Sequence, residues 1–227
     1  MEGEPTALES VRATIAKACR IARRDPAEVT LVAVSKTHPA EAITTLLDQG
    51  QRVFGENRVQ EAQGKWPELR ERFPDAQLHL IGRLQSNKAE DAAKLFDCIH
   101  SLDRPSLVKA LAKAFGKTGR QVPCFVQADV GDEPQKGGCP VAELAALLAR
   151  AREAEIPVIG LMCLPPFDME PAPFFALLDK LARDHELNGR SMGMSGDYET
   201  AIMLGATHVR VGTALFGKRT SAQAAKR

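Results

Sequence analysis

No stretch of this chain approaches the roughly 20 apolar residues that cross a bilayer. The opening "MEGEPTALESVRATIAKACRIARR" lacks the basic-then-apolar order of a signal peptide and reads as an amphipathic helix. Charge of one sign is also missing. Thirty Lys and Arg stand against 29 Asp and Glu with no long basic block, which excludes an electrostatic footprint for nucleic acid. The five cysteines form no CxxC pair and are odd in number, as expected of reduced thiols in a cytoplasmic protein. The five histidines lack metal-ligand spacing, so no metal site is expected. The glycine-rich GxGxxG fingerprint of a doubly wound dinucleotide fold is absent after the first strand. "FGKTG" (115–119) carries the GKT of a P-loop, but Leu111 stands where that motif needs glycine and the segment closes a helix.

What is present is alternation. With 227 residues, 44% of them hydrophobic, the chain can bury a full core. "VTLVAVSK" reads as a strand and "PAEAITTLLDQG" as the helix after it. "RVFGEN" precedes the helix "RVQEAQGKWPELRERF", and "LHLIGRL" precedes "SNKAEDAAKLF". "CIHSLD", "VPCFVQADV", "PVIGLMCL", "SMGMS" and "HVRVGTALFG" continue the series, each strand followed by a helical pattern. About eight βα units in a chain of this length predict parallel strands closed into a (β/α)₈ barrel, with the N-terminal helix in the place of the helix after the last strand. An open doubly wound sheet is the rival. No linker or repeat divides the chain, so residues 1–227 are expected to form one domain. The loops "GDEPQKGGCP" and "LPPFDMEPAP" should lie at the barrel mouth.

In such barrels the chemistry sits at the carboxyl ends of the strands, and phosphate often binds beyond strands seven and eight. Here the first strand ends in Lys36 and the second in Glu56-Asn57. The seventh ends in "SMGMSGD" and the eighth in "VRVGT", both rich in small residues and hydroxyls suited to a phosphate. Asp197 would repel a phosphate and is expected to cap the helix "YETAIML". An ammonium at the tip of a buried strand is costly unless used. Partial desolvation suits it to Schiff-base chemistry with an aldehyde, whereas on Lys36 alone a snorkelling surface lysine is the simpler reading.

"LVAVSKT", "FGEN", "IGRLQSNK", "HSLDR", "GLM", "SMGMSGD" and "ATHVRVGTALFG", in this order along nearly the whole chain, resemble the pyridoxal phosphate homeostasis proteins. That family is similar to the N-terminal barrel domain of alanine racemases. The resemblance implies pyridoxal 5′-phosphate (PLP) held covalently on Lys36. It implies Ser195, Gly212 and Thr213 on the phosphate, Arg210 facing the pyridine nitrogen, and Asn57 beside the cofactor. It also implies a non-catalytic role in buffering or delivering PLP, affecting amino- and keto-acid balance. Apo-enzymes that use PLP are then the expected partners, and the chain a monomer or weak homodimer. Arg83 and the glycine-rich "QKGGCP" depart from the family pattern away from these positions.

Racemisation is the alternative, and a class I aldolase-like barrel using Lys36 on a sugar phosphate is a third reading. Arg210 argues against the racemase, because a guanidinium donates to the ring nitrogen without protonating it. Racemases also take a second base, a tyrosine, from a further domain expected to be absent here. The only tyrosine, Tyr198, is expected on a helix face.

Overall fold

The structure is a computed structural model and describes residues 4–217; residues 1–3 and 218–227, the outer ends of the expected domain, lie outside the described residues. Its strands are β1 Thr30–Val34, β2 Val53–Glu56, β3 Gln77–Leu80, β4 Cys98–Leu102, β5 Cys124–Asp129, β6 Cys139–Pro140, β7 Val158–Met162, β8 Gly189–Met194 and β9 His208–Val211. All pairings are parallel. The order β4-β3-β2-β1-β9-β8-β7-β5 is closed by a further β4–β5 pairing, giving an eight-stranded barrel of the (β/α)₈ type. β6 stands outside the ring and pairs only with the end of β5. Strands seven and eight of the sequence reading are therefore β8 and β9.

Helices cover the barrel, and their ends follow local chemistry. Helix Ala7–Ile21 opens on a reciprocal capping box, with Thr6 Oγ1 accepting from Glu9 N and Glu9 Oε2 accepting from Thr6 N. It packs on helices Tyr198–Met203 and Thr213–Phe216. The helix after β9 has only four residues, so the N-terminal helix closes the layer there, as expected. "RVQEAQGKWPELRERF" is two helices instead of one, Val59–Gln63 and Trp66–Arg72. Gly64 ends the first, and Pro67 in the first turn of the second cannot continue a helix from before it. "FGKTG" is a helix end: Pro105–Thr118 terminates at Gly119 with φ +66°, a left-handed C-cap.

Each strand sorts its residues by period two. Leu31, Ala33, Phe54, Leu78, Leu80, Ile99, Val126, Leu161, Met192, Val209 and Val211 point outward and join one apolar core with the helices. The alternate positions point inward and are chemically mixed: His79, Cys98, His100, Phe125, Met162, Ser191, His208 and Arg210. Cys98, Phe125 and Met162 make a small apolar cluster of their own, and His100 lies 4.4 Å from Phe125, ring to ring. Room for these rings comes from glycine: a Cβ on Gly189 would stand 2.6 Å from the Phe125 ring.

Candidate functional site at the carboxyl mouth of the barrel

Lys36 follows buried Ser35 at the tip of β1 and is itself partly buried. The turn that carries it, residues 35–38, is held from the neighbouring βα unit. Lys65 Nζ donates to the carbonyls of Ser35 and His38 at 3.3 Å each. It also pairs with Glu56 Oε1 at 2.8 Å and with Glu61 Oε1 at 2.9 Å. Glu61 Oε1 in turn accepts from Thr37 N, a residue in the left-handed region at φ +65°. Glu56 is fully buried and faces the helix layer, accepting from Ser35 Oγ at 2.7 Å and Trp66 Nε1 at 3.4 Å. Burial pushes its pKa up, while Lys65 pulls the other way.

The turns after β1 and β9 meet. In the β1–β9 register Val32 lies opposite Arg210 and Ala33 opposite Val211. The His38 ring stacks on Phe216 with centroids 4.4 Å apart and planes 15° from parallel. Ser195 Oγ accepts from Gly212 N–H at 3.1 Å, joining the tips of β8 and β9. Thr213 begins the next helix and is exposed, and Gly212 is partly buried. Asn57 is partly buried at the tip of β2, and a Cβ on Gly82 would stand 2.3 Å from its carbonyl oxygen. Lys36, Ser195, Arg210, Gly212 and Thr213 thus lie on three adjacent strands, with Asn57 on the strand beyond β1.

Arg210 is 4% exposed, inside the barrel. Its Nη1 donates to Ser191 Oγ at 2.5 Å and its Nη2 to the Cys163 carbonyl at 2.8 Å. Among the described residues no carboxylate forms an ion pair with it. Burial lowers its pKa, but a guanidinium remains charged at physiological pH. Below it, Ser191 Oγ lies 2.8 Å from His100 Nδ1, and His100 Nε2 lies 3.0 Å from His79 Nδ1. Burial brings the pKa of His79 down to about 3 and of His208 to about 4, and holds His100 well below the usual imidazole range.

The column Arg210–Ser191–His100–His79 was not visible in the sequence. Its members are spread over β9, β8, β4 and β3, and only barrel closure joins them. The one available signal was a polar residue at alternate positions of otherwise apolar strands. Asp197 corrects an expectation. It does precede helix Tyr198–Met203, but its side chain makes no capping bond and instead accepts from Met194 N at 2.5 Å, closing the turn after β8. Tyr198 is buried in the outer apolar core, as a helix-face residue. The two long loops meet at the mouth, where Lys136 Nζ donates to the Pro165 carbonyl at 2.9 Å.

A buried cation without an ion pair among the described residues and a partly buried lysine at the tip of the neighbouring strand, with hydroxyls and backbone amides on the adjacent strand tips, suit an aromatic anion that carries an aldehyde and a phosphate. Arg210 supplies the fit: it is a donor in a low-dielectric interior, and a bound anion would offset its charge.

The family model for the alanine racemase N-terminal domain matches residues 7–220. A "Pyridoxal phosphate homeostasis protein" of Pseudomonas aeruginosa is 41% identical over 218 residues, covering 93% of this chain and 94% of the relative. The protein of the same name from Escherichia coli K12 is 38% identical over 224 residues, covering 93% and 95%. The solved structure of PipY from Synechococcus elongatus with PLP bound is 40% identical, with a TM-score of 0.80 over 89% of this chain and all of that one. An alanine racemase from Clostridium difficile shares the fold at 14% identity and TM-score 0.68, this chain spanning 57% of it.

Proposed function

The chain belongs to the alanine racemase N-terminal domain family, among the pyridoxal phosphate homeostasis proteins, and from that premise we propose that it is a PLP holder, buffering or delivering the cofactor in the cytoplasm without turning it over. When bound, PLP supplies an aldehyde that a lysine amine can hold covalently and a pyridine ring that can take up negative charge. Lys36 holds the aldehyde carbon. Ser195, Gly212 and Thr213 would hold the phosphate, Arg210 would donate to the ring nitrogen, and Asn57 would lie beside the cofactor. Apo-enzymes that need PLP are the partners, met by a monomer or weak homodimer. Five free, buried thiols support a reducing compartment, and among the described residues no helix is long and apolar enough to cross a membrane.

One observation carries this reading: among the described residues the buried Arg210 guanidinium hydrogen-bonds only neutral groups, a serine hydroxyl and a backbone carbonyl, while the Asp197 carboxylate acts on it only from a distance. It favours an anionic ligand over a neutral one. It also disfavours catalysis, because a group that keeps its proton can hydrogen-bond the ring nitrogen but leaves the ring a poor electron sink. Racemisation further needs a base on each face of the carbon, and the one tyrosine is packed in the helix layer.

The test is the absorption spectrum of the purified protein with PLP, followed by borohydride reduction and peptide mapping. The expected result is a visible band and a reduced PLP adduct on Lys36, both lost in Lys36→Ala with the fold intact. An adduct that persists in that variant would move the anchor to another lysine, Lys88 or Lys136 first. Incubated with L-alanine in deuterated water, the PLP-loaded protein should leave the amino acid in the L configuration. Rapid loss of optical activity would make it a racemase.

A further inference from the structure

A guanidinium has donors only, so at 2.5 Å from Arg210 Nη1 the oxygen of Ser191 must accept. Ser191 is fully buried, and among the described residues its Oγ contacts just Arg210 and His100 Nδ1. A hydroxyl has one proton of its own, and a buried proton without an acceptor is disfavoured. That proton therefore goes to His100 Nδ1. His100, neutral in this interior, then carries its hydrogen on Nε2 and donates it to His79 Nδ1, 3.0 Å away. His79 is left with its own hydrogen on Nε2. Every bond in the column runs the same way, from Arg210 through Ser191 and His100 to His79, because its first member cannot accept and the buried serine proton has no acceptor but His100 among the described residues.

Resting on the reading of Arg210 as the partner of the cofactor ring, we infer that Ser191, His100 and His79 are positioning residues that hold Arg210 in place for PLP. Ser191 accepts from Nη1 through a lone pair, and its own buried proton is satisfied only while His100 takes it. His100 can take it only while His79 accepts from the opposite nitrogen. Reversing the Ser191–His100 link leaves the serine proton without an acceptor, and reversing the His100–His79 link alone sets two donors face to face. The guanidinium is thereby held from below through Nη1. The same proton count answers a second possibility in this cluster. His79, Cys98 and His100 offer donor atoms within 4.8 Å of one another, close enough for a metal ion. In the column both nitrogens of His100 are already engaged, and the positive charge of Arg210 stands one hydroxyl away.

Two measurements test the inference. In the full-length protein without PLP, nitrogen-15 NMR of labelled histidines at pH 7 should find His79 and His100 neutral, each with its hydrogen on Nε2. A hydrogen on His100 Nδ1, or an imidazolium there, overturns the column whether or not the protein binds PLP. The second is PLP affinity in substituted proteins. Ser191→Ala, which removes a hydrogen bond to the charged Arg210, should weaken it about tenfold, and His100→Leu, which leaves the Ser191 proton without its acceptor, by a similar factor. His100→Gln, whose carboxamide can accept from Ser191 and donate to His79, should stay within about twofold of the unsubstituted protein. Equal losses in His100→Gln and His100→Leu would reduce His100 to a packing role and sink the inference. If the unsubstituted protein holds no PLP at all, the functional reading fails, a positioning role toward PLP fails with it, and only the tautomer assignment is left to the NMR.

Discussion

The outer and inner faces of the same strands were built to different rules. Outward, β3 presents Leu78 and Leu80 to a continuous apolar core, where fit to the helices is all that matters. Inward, between those two leucines, it presents His79, a link in a hydrogen-bonded chain. β9 repeats the contrast, with Val209 and Val211 outside and His208 and Arg210 inside. One face stabilises by area and shape, which many residues can supply. The other must satisfy donors and acceptors one by one, so a single wrong atom is costly. Stability and ligand chemistry are thus separated by the thickness of one strand.

The largest expected effect tests whether that separation is real. Leu78→Ala removes a fully buried outward side chain and should cost about 2–5 kcal/mol of unfolding free energy. The folded fraction should bind PLP as before. Denaturant unfolding and a PLP titration on the same sample check both halves, and a matching loss of affinity would mean that the layers are coupled. Next in size, Ser195→Ala and Thr213→Ala act at the mouth alone. In the proposed reading each removes a hydrogen bond to a charged phosphate worth about 1.5–3 kcal/mol, so retention should fall tenfold or more per site with unfolding little changed. An unchanged dissociation constant in the double variant would move the phosphate elsewhere.

The last effect, spread over several pH units, sharpens the contrast through pH. His79, His100 and His208 have folded-state pKa values below the ordinary 6.5, so the unfolded chain binds more protons in acid. Their contribution to stability is complete above about pH 6.5. It is lost as the pH falls, by up to about 1.4 kcal/mol per pH unit for each group, until the folded forms titrate near 4 for His208 and near 3 for His79. Urea unfolding between pH 7 and pH 5 should show this slope, and His208→Asn should make it shallower. A flat profile would mean that the inner histidines are not held neutral.

The same contrast explains what was legible in the sequence. The outward half of each strand announces itself through Leu, Ile, Val and Phe, so eight strands and their order could be read. Lys36 and Arg210 could be read too, because charged residues at the tip of or within apolar strands are conspicuous. β6 was missed: Cys139 and Pro140 carry no apolar run and pair only because the glycine-rich loop returns along β5. The break at Gly64 was passed over because helix formers flank it on both sides. Ser191 and His100 lie 91 positions apart, and no local pattern connects them. Nor does local sequence tell that Asp197 reaches back to Met194 N, since a preceding carboxylate suits either bond.

His38 on Phe216, and β1 against β9, make a seam where the first and last strands of the barrel meet. Lys36 stands on one side of that seam, and Arg210, Gly212 and Thr213 on the other. During synthesis the lysine leaves the ribosome about 170 residues ahead of its partners, at the ~5–20 residues per second of translation. For that interval it is an ordinary amine on an open sheet, able to meet aldehydes but with nothing to retain a phosphate. In the proposed reading the site is therefore completed late, when β9 closes the barrel.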